Sequence, residues 1–162
     1  MLRLPAALIL LALPAQAAAQ PSAESQLDFL VGEWTLHDPA GAEIGRARVA
    51  EQAPGAMLYE ERRIGERDAQ PLWFARFERD GGWTQLFVGA AGMVREFRPV
   101  SPPGAWPLVL GGDVTLRDGT PVRFRMTMTR ASDDESGRIL EMSRDSGATW
   151  TTTFDYRYRR AR

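Results

Sequence analysis

Hydrophobic and polar side chains alternate along most of the chain downstream of its N-terminal segment. The run Pro121–Arg130 is the clearest case, because apolar residues take every second position and arginine or threonine fills the positions between them. Successive side chains of a β-strand point to opposite faces, so this spacing puts the apolar residues on one face. The pattern therefore predicts strands with one dry face and one wet face.

Short runs of this kind recur along the chain, separated by breaks rich in Gly, Pro and Asp. Tight turns such as Asp118-Gly119 join neighbouring runs and force them to pair antiparallel. A long meander of this type closes on itself, because closure removes both exposed sheet edges. We therefore predict an all-β fold, a single antiparallel up-and-down β-barrel of about ten strands. The predicted strands are Glu33–Asp38, Glu43–Gln52, Met57–Ile64, Leu72–Arg79, Trp83–Val88, Met93–Arg98, Pro107–Leu116, Pro121–Arg130, Arg138–Arg144 and Thr149–Arg160.

The first 19 residues have the features of a secretory signal peptide. Arg3 supplies a positive charge, an apolar run follows from Ala6 to Leu13, and Ala17-Ala18-Ala19 offers small residues for cleavage. This run is shorter than the roughly 20 apolar residues that span a bilayer, so we expect removal rather than anchoring. Residues 20–162 are then the mature barrel domain, and we expect a periplasmic or secreted protein of a Gram-negative bacterium.

A short motif joins the N-terminal segment to the first strand. Leu27 and Leu30 are spaced as on one helix face and predict a short helix, and the segment Asp28–Trp34 reads DFLVGEW. Its F-L-x-G-x-W pattern resembles the start of a lipocalin-like (calycin) barrel, nearest to nitrobindin-like and uncharacterised secreted bacterial ten-stranded barrel domains. The resemblance implies that Trp34 plugs the closed end and that a last-strand arginine, Arg157 or Arg159, lies across its ring.

The same resemblance bears on cofactors, because nitrobindin-like barrels hold haem through a histidine late in the chain. The one histidine of this sequence is His37, in the first predicted strand and on the opposite face from Trp34 and Leu36. We therefore expect no haem. One histidine without cysteine also falls short of the four nitrogen or sulfur ligands of structural zinc, so we expect no metal or other cofactor.

Composition and charge remove several classes of function. All 20 basic residues are arginine, which excludes a Schiff-base lysine and a phosphate-binding loop that depends on lysine. A formal net charge of −1 disfavours a nucleic-acid partner. We expect no enzyme, because the sequence offers no nucleophile–base pair and no G-x-S-x-G motif. Many strand arginines and the ending Arg159–Arg162 also disfavour an outer-membrane barrel, so we expect no stable membrane insertion after cleavage.

We expect the interior to bind a small, mostly apolar ligand, since small barrels either fill with side chains or hold one ligand. The candidate lining is Tyr59, Trp73, Phe77, Phe87, Phe124, Met126 and Met128. The alternative is a plugged barrel without ligand that acts as an envelope protein-interaction module, with Trp73 and Trp106 as surface anchors. An interior cavity below about 300 Å³ favours the plugged form.

Adjacent acidic residues predict a charge inside the barrel. Glu60 and Glu61 point to opposite faces of one strand, so one of them points inward and needs a cationic partner. Arg62, Arg76 and Arg95 are the candidate partners. Such a residue would form an interior ion pair or anchor the polar head group of a ligand.

A turn motif precedes the last strand. The segment Ser143–Trp150 reads S-x-D-x-G-x-T-W, which resembles the Asp-box hairpin of bacterial sialidases and other β proteins. Its side chains can bond the amides of a tight turn. We expect a structural turn without a catalytic role.

Overall fold

The structure, a computed structural model, describes residues 26–67, 70–76, 81–88, 94–116 and 118–162. Within these residues a single 3₁₀ turn, Asp28–Leu30, precedes a series of strands. The strands are β1 (Gly32–His37), β2 (Glu43–Ala53), β3 (Met57–Ile64), β4 (Gln70–Arg76), β5 (Trp83–Val88), β6 (Val94–Pro99), β7 (Leu108–Thr115), β8 (Pro121–Arg130), β9 (Glu135–Ser143) and β10 (Thr151–Arg160). The segment 1–19, for which we predict a signal peptide, lies outside the described residues.

The sheet is a closed barrel in which each strand pairs antiparallel with its neighbours in sequence. Closure comes from β1 and β10, whose register sets Trp34 opposite Arg160 and Leu36 opposite Tyr158. The end strands thereby satisfy main-chain groups that an open sheet would leave exposed. The predicted all-β up-and-down barrel is confirmed, and the strand bounds agree with the predicted runs to within a few residues.

The predicted short N-terminal helix is present as a single 3₁₀ turn. One 3₁₀ turn forms, and the backbone N–H of Val31 donates to the carbonyl oxygen of Asp28 as the chain turns into β1. Gly32 then opens β1 two residues after this turn. No helix among the described residues is long and apolar enough to cross a membrane.

Inward and outward side chains alternate along the strands, and the register carries this alternation around the wall. One row of paired inward residues crosses five neighbouring strands, β2 to β6: Val49, Glu60, Leu72, Phe87 and Arg95. A charged carboxylate therefore lies in the same inner row as aliphatic and aromatic residues. The barrel interior is consequently mixed, with polar groups inside an apolar wall.

One end of the barrel is filled by aromatic and aliphatic side chains. Leu30 and Trp34 are fully buried there, and Nε1 of Trp34 donates to the carbonyl oxygen of Leu30 at 2.6 Å. The ring of Phe29 packs edge-on against Trp34 and Trp106, with centroid distances of 6.5 and 5.7 Å. This packing makes the end that begins with β1 the closed end.

An arginine of the last strand covers Trp34, but it is Arg160. Its guanidinium carbon lies 4.1 Å from the centroid of the Trp34 ring, and its Nη atoms donate to the carbonyl oxygens of Phe29 and Val31 at 2.7 Å each. The assignment to Arg157 or Arg159 is wrong. Both are exposed on the outer face, because they alternate with the inward Tyr158.

Candidate functional site

The open half of the barrel contains a cavity of about 290 Å³. The cavity lies at the end of the barrel opposite Trp34. Most of its wall comes from the strand segments that meet there, namely the ends of β3 and β5 and the first residues of β4, β6 and β10. Its apolar lining is Ile64, Leu72, Phe87, Phe97, Met126, Leu140 and Phe154. Its polar lining is Arg62, Arg67, Gln70, Gln85, Arg95, Thr153 and Tyr156.

Four of the seven residues predicted to line a ligand site lie on the inner face. Phe87 and Met126 line the cavity. Phe124 and Met128 are buried deeper in the core, where the Phe124 ring packs edge-on against Phe97 at 6.0 Å. Phe77 lies outside the described residues.

Tyr59 and Trp73 lie on the outer surface, so their prediction as cavity lining is wrong. They face each other across β3 and β4, with ring centroids 4.5 Å apart. The adjacent inward pair, Leu58 and Phe74, is almost completely buried. Because neighbours along a strand point to opposite faces, burial of Leu58 and Phe74 puts Tyr59 and Trp73 outside.

A buried ionic centre lies between the closed end and the cavity. The Glu60 carboxylate is fully buried, accepts a hydrogen bond from the Tyr158 hydroxyl at 2.9 Å and forms an ion pair with Arg138. The inward acidic residue is therefore Glu60, whereas Glu61 is exposed. Its ion-pair partner is Arg138, so the prediction of Arg62 or Arg95 as the partner is wrong. The side chain of the third candidate, Arg76, lies outside the described residues.

Arg62 forms the polar floor of the cavity. Its Nη1 donates to the Tyr158 hydroxyl at 3.4 Å and its Nη2 to Oε1 of Gln70 at 3.3 Å, both long for hydrogen bonds. Its guanidinium also lies over the rings of Phe154 and Tyr156, at 5.2 and 5.6 Å from their centroids. These two rings stack on each other at 4.4 Å and form a flat aromatic wall beside the charge.

The charge states at this floor follow from burial and from neighbouring groups. Burial alone would lower the pKa of Arg62, but the nearby Tyr158 and Glu60 offset this effect and raise that pKa above its usual value. Burial raises the pKa of the Tyr158 hydroxyl, and the Glu60 charge adds to the rise. At neutral pH Arg62 is therefore a cation, and Tyr158 is a neutral hydroxyl that can donate to Glu60.

Several buried polar atoms in the cavity wall have no hydrogen-bond partner among the described residues. They are Nε of Arg62, Nε of Arg95 and Oε1 of Gln85. The Arg95 guanidinium lies against the Phe124 ring, 5.2 Å from its centroid, and no described carboxylate lines this cavity. Buried polar groups in folded proteins nearly always have a hydrogen-bond partner. Unpaired groups at a cavity surface therefore point to a bound molecule as the missing partner.

His37 lies away from this cavity. It is on the outer face of β1, where Nε2 is 3.0 Å from the Thr35 hydroxyl and Nδ1 is 3.1 Å from the carbonyl oxygen of Gly41. Within the part of the chain that the structure describes, no group of three His, Asp or Glu side chains could hold a metal ion.

The segment Ser143–Trp150 forms a tight hydrogen-bonded turn. The Ser143 hydroxyl accepts from the backbone N–H of Gly147 at 2.7 Å, and the Asp145 carboxylate accepts from the backbone and side chain of Thr149 at 2.8 and 2.6 Å. Nε1 of Trp150 donates to the carbonyl oxygen of Gly147, closing the turn from below. All of these bonds are local, as in a structural turn.

Sequence reasoning missed two important parts of the cavity, the aromatic wall of Phe154 and Tyr156 and the cationic pair Arg62 and Arg95. The alternation of the last strand contained a signal for the wall, because Phe154 and Tyr156 share the parity of the inward Tyr158. The arginines appeared only as possible partners of Glu60. The cavity volume of about 290 Å³ lies just under the 300 Å³ boundary, so size alone narrowly favours a plugged barrel.

A closed antiparallel barrel whose ten strands follow sequence order is consistent with a calycin-like barrel. The closer likeness to nitrobindin-like domains stays a prediction. Comparison of the chain with models of known families and with curated proteins found no match.

Proposed function

We propose that the protein binds a small, mostly apolar ligand in the open half of its barrel. The observation that carries this proposal is the cavity of about 290 Å³, walled by aliphatic and aromatic side chains and closed below by the Arg62 floor. Burial of apolar ligand surface contributes roughly 25 cal/mol per Å², so the walls favour an apolar body. The volume lies at the lower limit for small-molecule sites, so the ligand is small.

Size alone narrowly favours a plugged barrel, but the chemistry of the cavity wall outweighs that margin. A barrel filled by its own side chains pairs its buried polar groups, since each unpaired group is costly. Here the wall leaves polar atoms of Arg62, Gln85 and Arg95 without partners among the described residues. A bound ligand can supply hydrogen-bond partners for these atoms and fill the apolar space at the same time.

A neutral fluorescent probe tests the proposal. N-phenyl-1-naphthylamine carries no charge and brightens in apolar surroundings, so we expect a saturable increase in its fluorescence with one site per chain. Thr153 lies exposed at the cavity mouth, and Thr152 is its exposed neighbour outside the lining. We expect Thr153→Trp to weaken probe binding at least tenfold and the matched control Thr152→Trp to leave it unchanged. Equal binding by both variants, or no binding at all, would contradict an interior site.

A second candidate function has one observation in its favour. Tyr59 and Trp73 form a partly exposed aromatic pair on the outer wall, and aromatic residues are enriched in protein interfaces. A plugged barrel that binds an envelope partner through this pair would exclude the neutral probe. Tyr59→Ala and Trp73→Ala would then weaken partner binding, whereas the ligand proposal assigns them no effect on probe affinity.

The proposal includes export of the protein to the periplasm or beyond. Its support is the leader-like segment before Gln20. Release by osmotic shock, with Gln20 as the first residue of the released chain, is the expected result in the native bacterium. Retention in the membrane fraction or an intact Met1 terminus would contradict it.

A further inference from the structure

The interior charges do not balance around the cavity. Three strand arginines, Arg62, Arg95 and Arg138, point into the barrel near it, against the single described carboxylate of Glu60. Arg67 also lines the cavity, but it is exposed and its charge stays in water. Two positive charges are therefore uncompensated inside the described barrel. Cations are seldom kept in an interior without a partner, because removal from water is costly unless an anion compensates it.

Arg138 is already neutralised and is not available for a ligand. Its side chain is 1% exposed, pairs with Glu60 and lies over the Tyr158 ring at 4.1 Å from the centroid. It also lies outside the cavity lining. Nε and Nη2 of Arg138 also lack hydrogen-bond partners among the described residues, but Glu60 compensates its charge. The unbalanced charge therefore belongs to Arg62 and Arg95.

Arg62 and Arg95 both line the cavity and both have donor capacity left. Arg62 is 4% exposed, uses two Nη atoms in long hydrogen bonds and leaves Nε without an acceptor. Arg95 leaves Nε without an acceptor, and its described contact is the face of the Phe124 ring. Guanidinium groups present several donors in a planar fork, which matches the two oxygens of a carboxylate.

We propose that the cavity binds a small organic carboxylate whose anionic group is held by Arg62 and Arg95. The inference rests on the proposed ligand-binding function and names the ligand class of that same site. The walls formed by Phe87, Met126 and the stacked Phe154 and Tyr156 take an apolar body, so the ligand is a short aliphatic or single-ring carboxylic acid. A volume of about 290 Å³ excludes long acyl chains from complete burial.

The test compares octanoate with octan-1-ol, which has the same chain length and no charge. Both are titrated calorimetrically into the mature protein at neutral pH, and we expect octanoate to bind at least tenfold more tightly. In Arg62→Met and Arg95→Met we expect this preference to fall at least tenfold. The matched controls are Arg63→Met and Arg98→Met, outward neighbours on the same two strands, and they keep the preference. Near-ultraviolet circular dichroism verifies that each variant is folded. If Arg62→Met does not fold, Arg95→Met and Arg95→Lys carry the test, and we expect Arg95→Lys to retain part of the preference for octanoate because it keeps the positive charge.

The outcomes separate this inference from the function on which it rests. If octan-1-ol binds as tightly as octanoate, or if both inward variants keep the wild-type preference, the carboxylate inference is overturned. If the neutral probe still binds and Thr153→Trp weakens that binding at least tenfold, the apolar site itself remains supported. If neither the probe nor either octyl compound binds, the ligand-binding function itself fails and the carboxylate inference fails with it.

Discussion

Glu60 and Arg138 form an ion pair across the barrel interior although 78 residues separate them in sequence. Glu60 belongs to β3 and Arg138 to β9, strands that are not neighbours in the sheet, so the pair connects two sides of the wall. The hydroxyl of Tyr158 bonds the second oxygen of Glu60 at 2.9 Å. Together these three side chains connect opposite sides of the barrel wall between the closed end and the cavity.

Removal of the Glu60 charge should destabilise the fold strongly. Glu60→Leu leaves Arg138 buried without a counter-charge, and a broken buried pair typically costs about 3–5 kcal/mol of unfolding free energy. The exposed neighbour Glu61 provides the control, because Glu61→Leu should change stability by less than about 0.5 kcal/mol. Urea unfolding followed by circular dichroism measures both.

The double variant Glu60→Leu/Arg138→Met isolates the cause of that loss. Replacement of both members of a buried pair by apolar residues is often close to neutral, so we expect the double variant to be more stable than Glu60→Leu alone. A double variant as unstable as the sum of its single variants would mean that the two side chains act independently.

Arg160 should stabilise the closed end more than the arginine beside it. It covers the Trp34 ring and donates to the carbonyl oxygens of Phe29, Val31 and Asp133 at 2.7 Å each. Loss of the cation–π contact and the charged hydrogen bonds in Arg160→Ala should cost about 2–3 kcal/mol. Arg159→Ala, on the exposed outer face, should cost no more than about 0.5 kcal/mol in the same unfolding experiment. Equal losses would show that the Trp34 contact has no special weight.

The architecture was readable from the sequence because its determinants are local. The turn between β7 and β8 is an example: Gly119 has a φ of +83°, and the backbone N–H of Thr120 donates to the Asp118 carboxylate. Both features belong to the dipeptide Asp118-Gly119 and do not depend on the rest of the fold. Short turns of this kind make strands that are neighbours in sequence also neighbours in the sheet. A meander of ten such strands is long enough to close on itself and remove its exposed edges.

The inner face of β3 was not readable from its own sequence. One face carries Leu58, Glu60 and Arg62, the other Met57, Tyr59 and Glu61, so apolar and charged residues occur on both. The choice is made by register with distant strands, which brings Leu58 opposite Phe74 and Glu60 close to Arg138. The inward position of Arg62, and with it the polar floor of the cavity, therefore depends on pairing between distant strands. The sequence of β3 alone does not reveal that pairing.

Arg160, in contrast, was within reach of the sequence pattern. The inward residues of the last strand occupy even positions, and Arg160 shares that parity with Tyr158 while Arg157 and Arg159 do not. Strict use of the two-residue period would have identified the arginine over Trp34. The error came from the residue choice and not from the strand prediction.

Close backbone approach makes Gly112 a sensitive position in β7. A Cβ atom there would overlap the backbone carbonyl oxygen of Glu96 on β6 and would touch the Phe97 ring at 3.4 Å. We expect Gly112→Ala to destabilise the protein by about 1–3 kcal/mol, as overpacking does. In the control Gly111→Ala the Cβ would meet a methyl group of the exposed Val100 at 3.0 Å, which can rotate away. A smaller loss in Gly112→Ala than in Gly111→Ala would contradict this account of the β6–β7 contact.

The Asp145 turn makes stability depend on pH in the acid range. Hydrogen bonds from the side chain and the backbone of Thr149, and from the Ser143 hydroxyl, lower the pKa of Asp145 from 3.8 to about 2. A carboxyl whose folded pKa lies below its unfolded value binds its proton more tightly in the unfolded chain. Its contribution to stability is therefore fully present above the unfolded pKa and is lost as the pH falls through the folded one.

Asp145→Asn should consequently flatten the acid limb of the stability profile. Other carboxylates, such as Asp113 and Asp133, also have lowered pKa values, so the difference between wild type and variant isolates the turn. We expect that difference to be largest above pH 3.8 and to shrink as the pH approaches about 2. Asp155→Asn is the control, because Asp155 makes no side-chain hydrogen bond within the described residues, and its profile should run parallel to that of the wild type. Thermal midpoints measured across this pH series would contradict the assignment if the Asp145→Asn profile ran parallel as well.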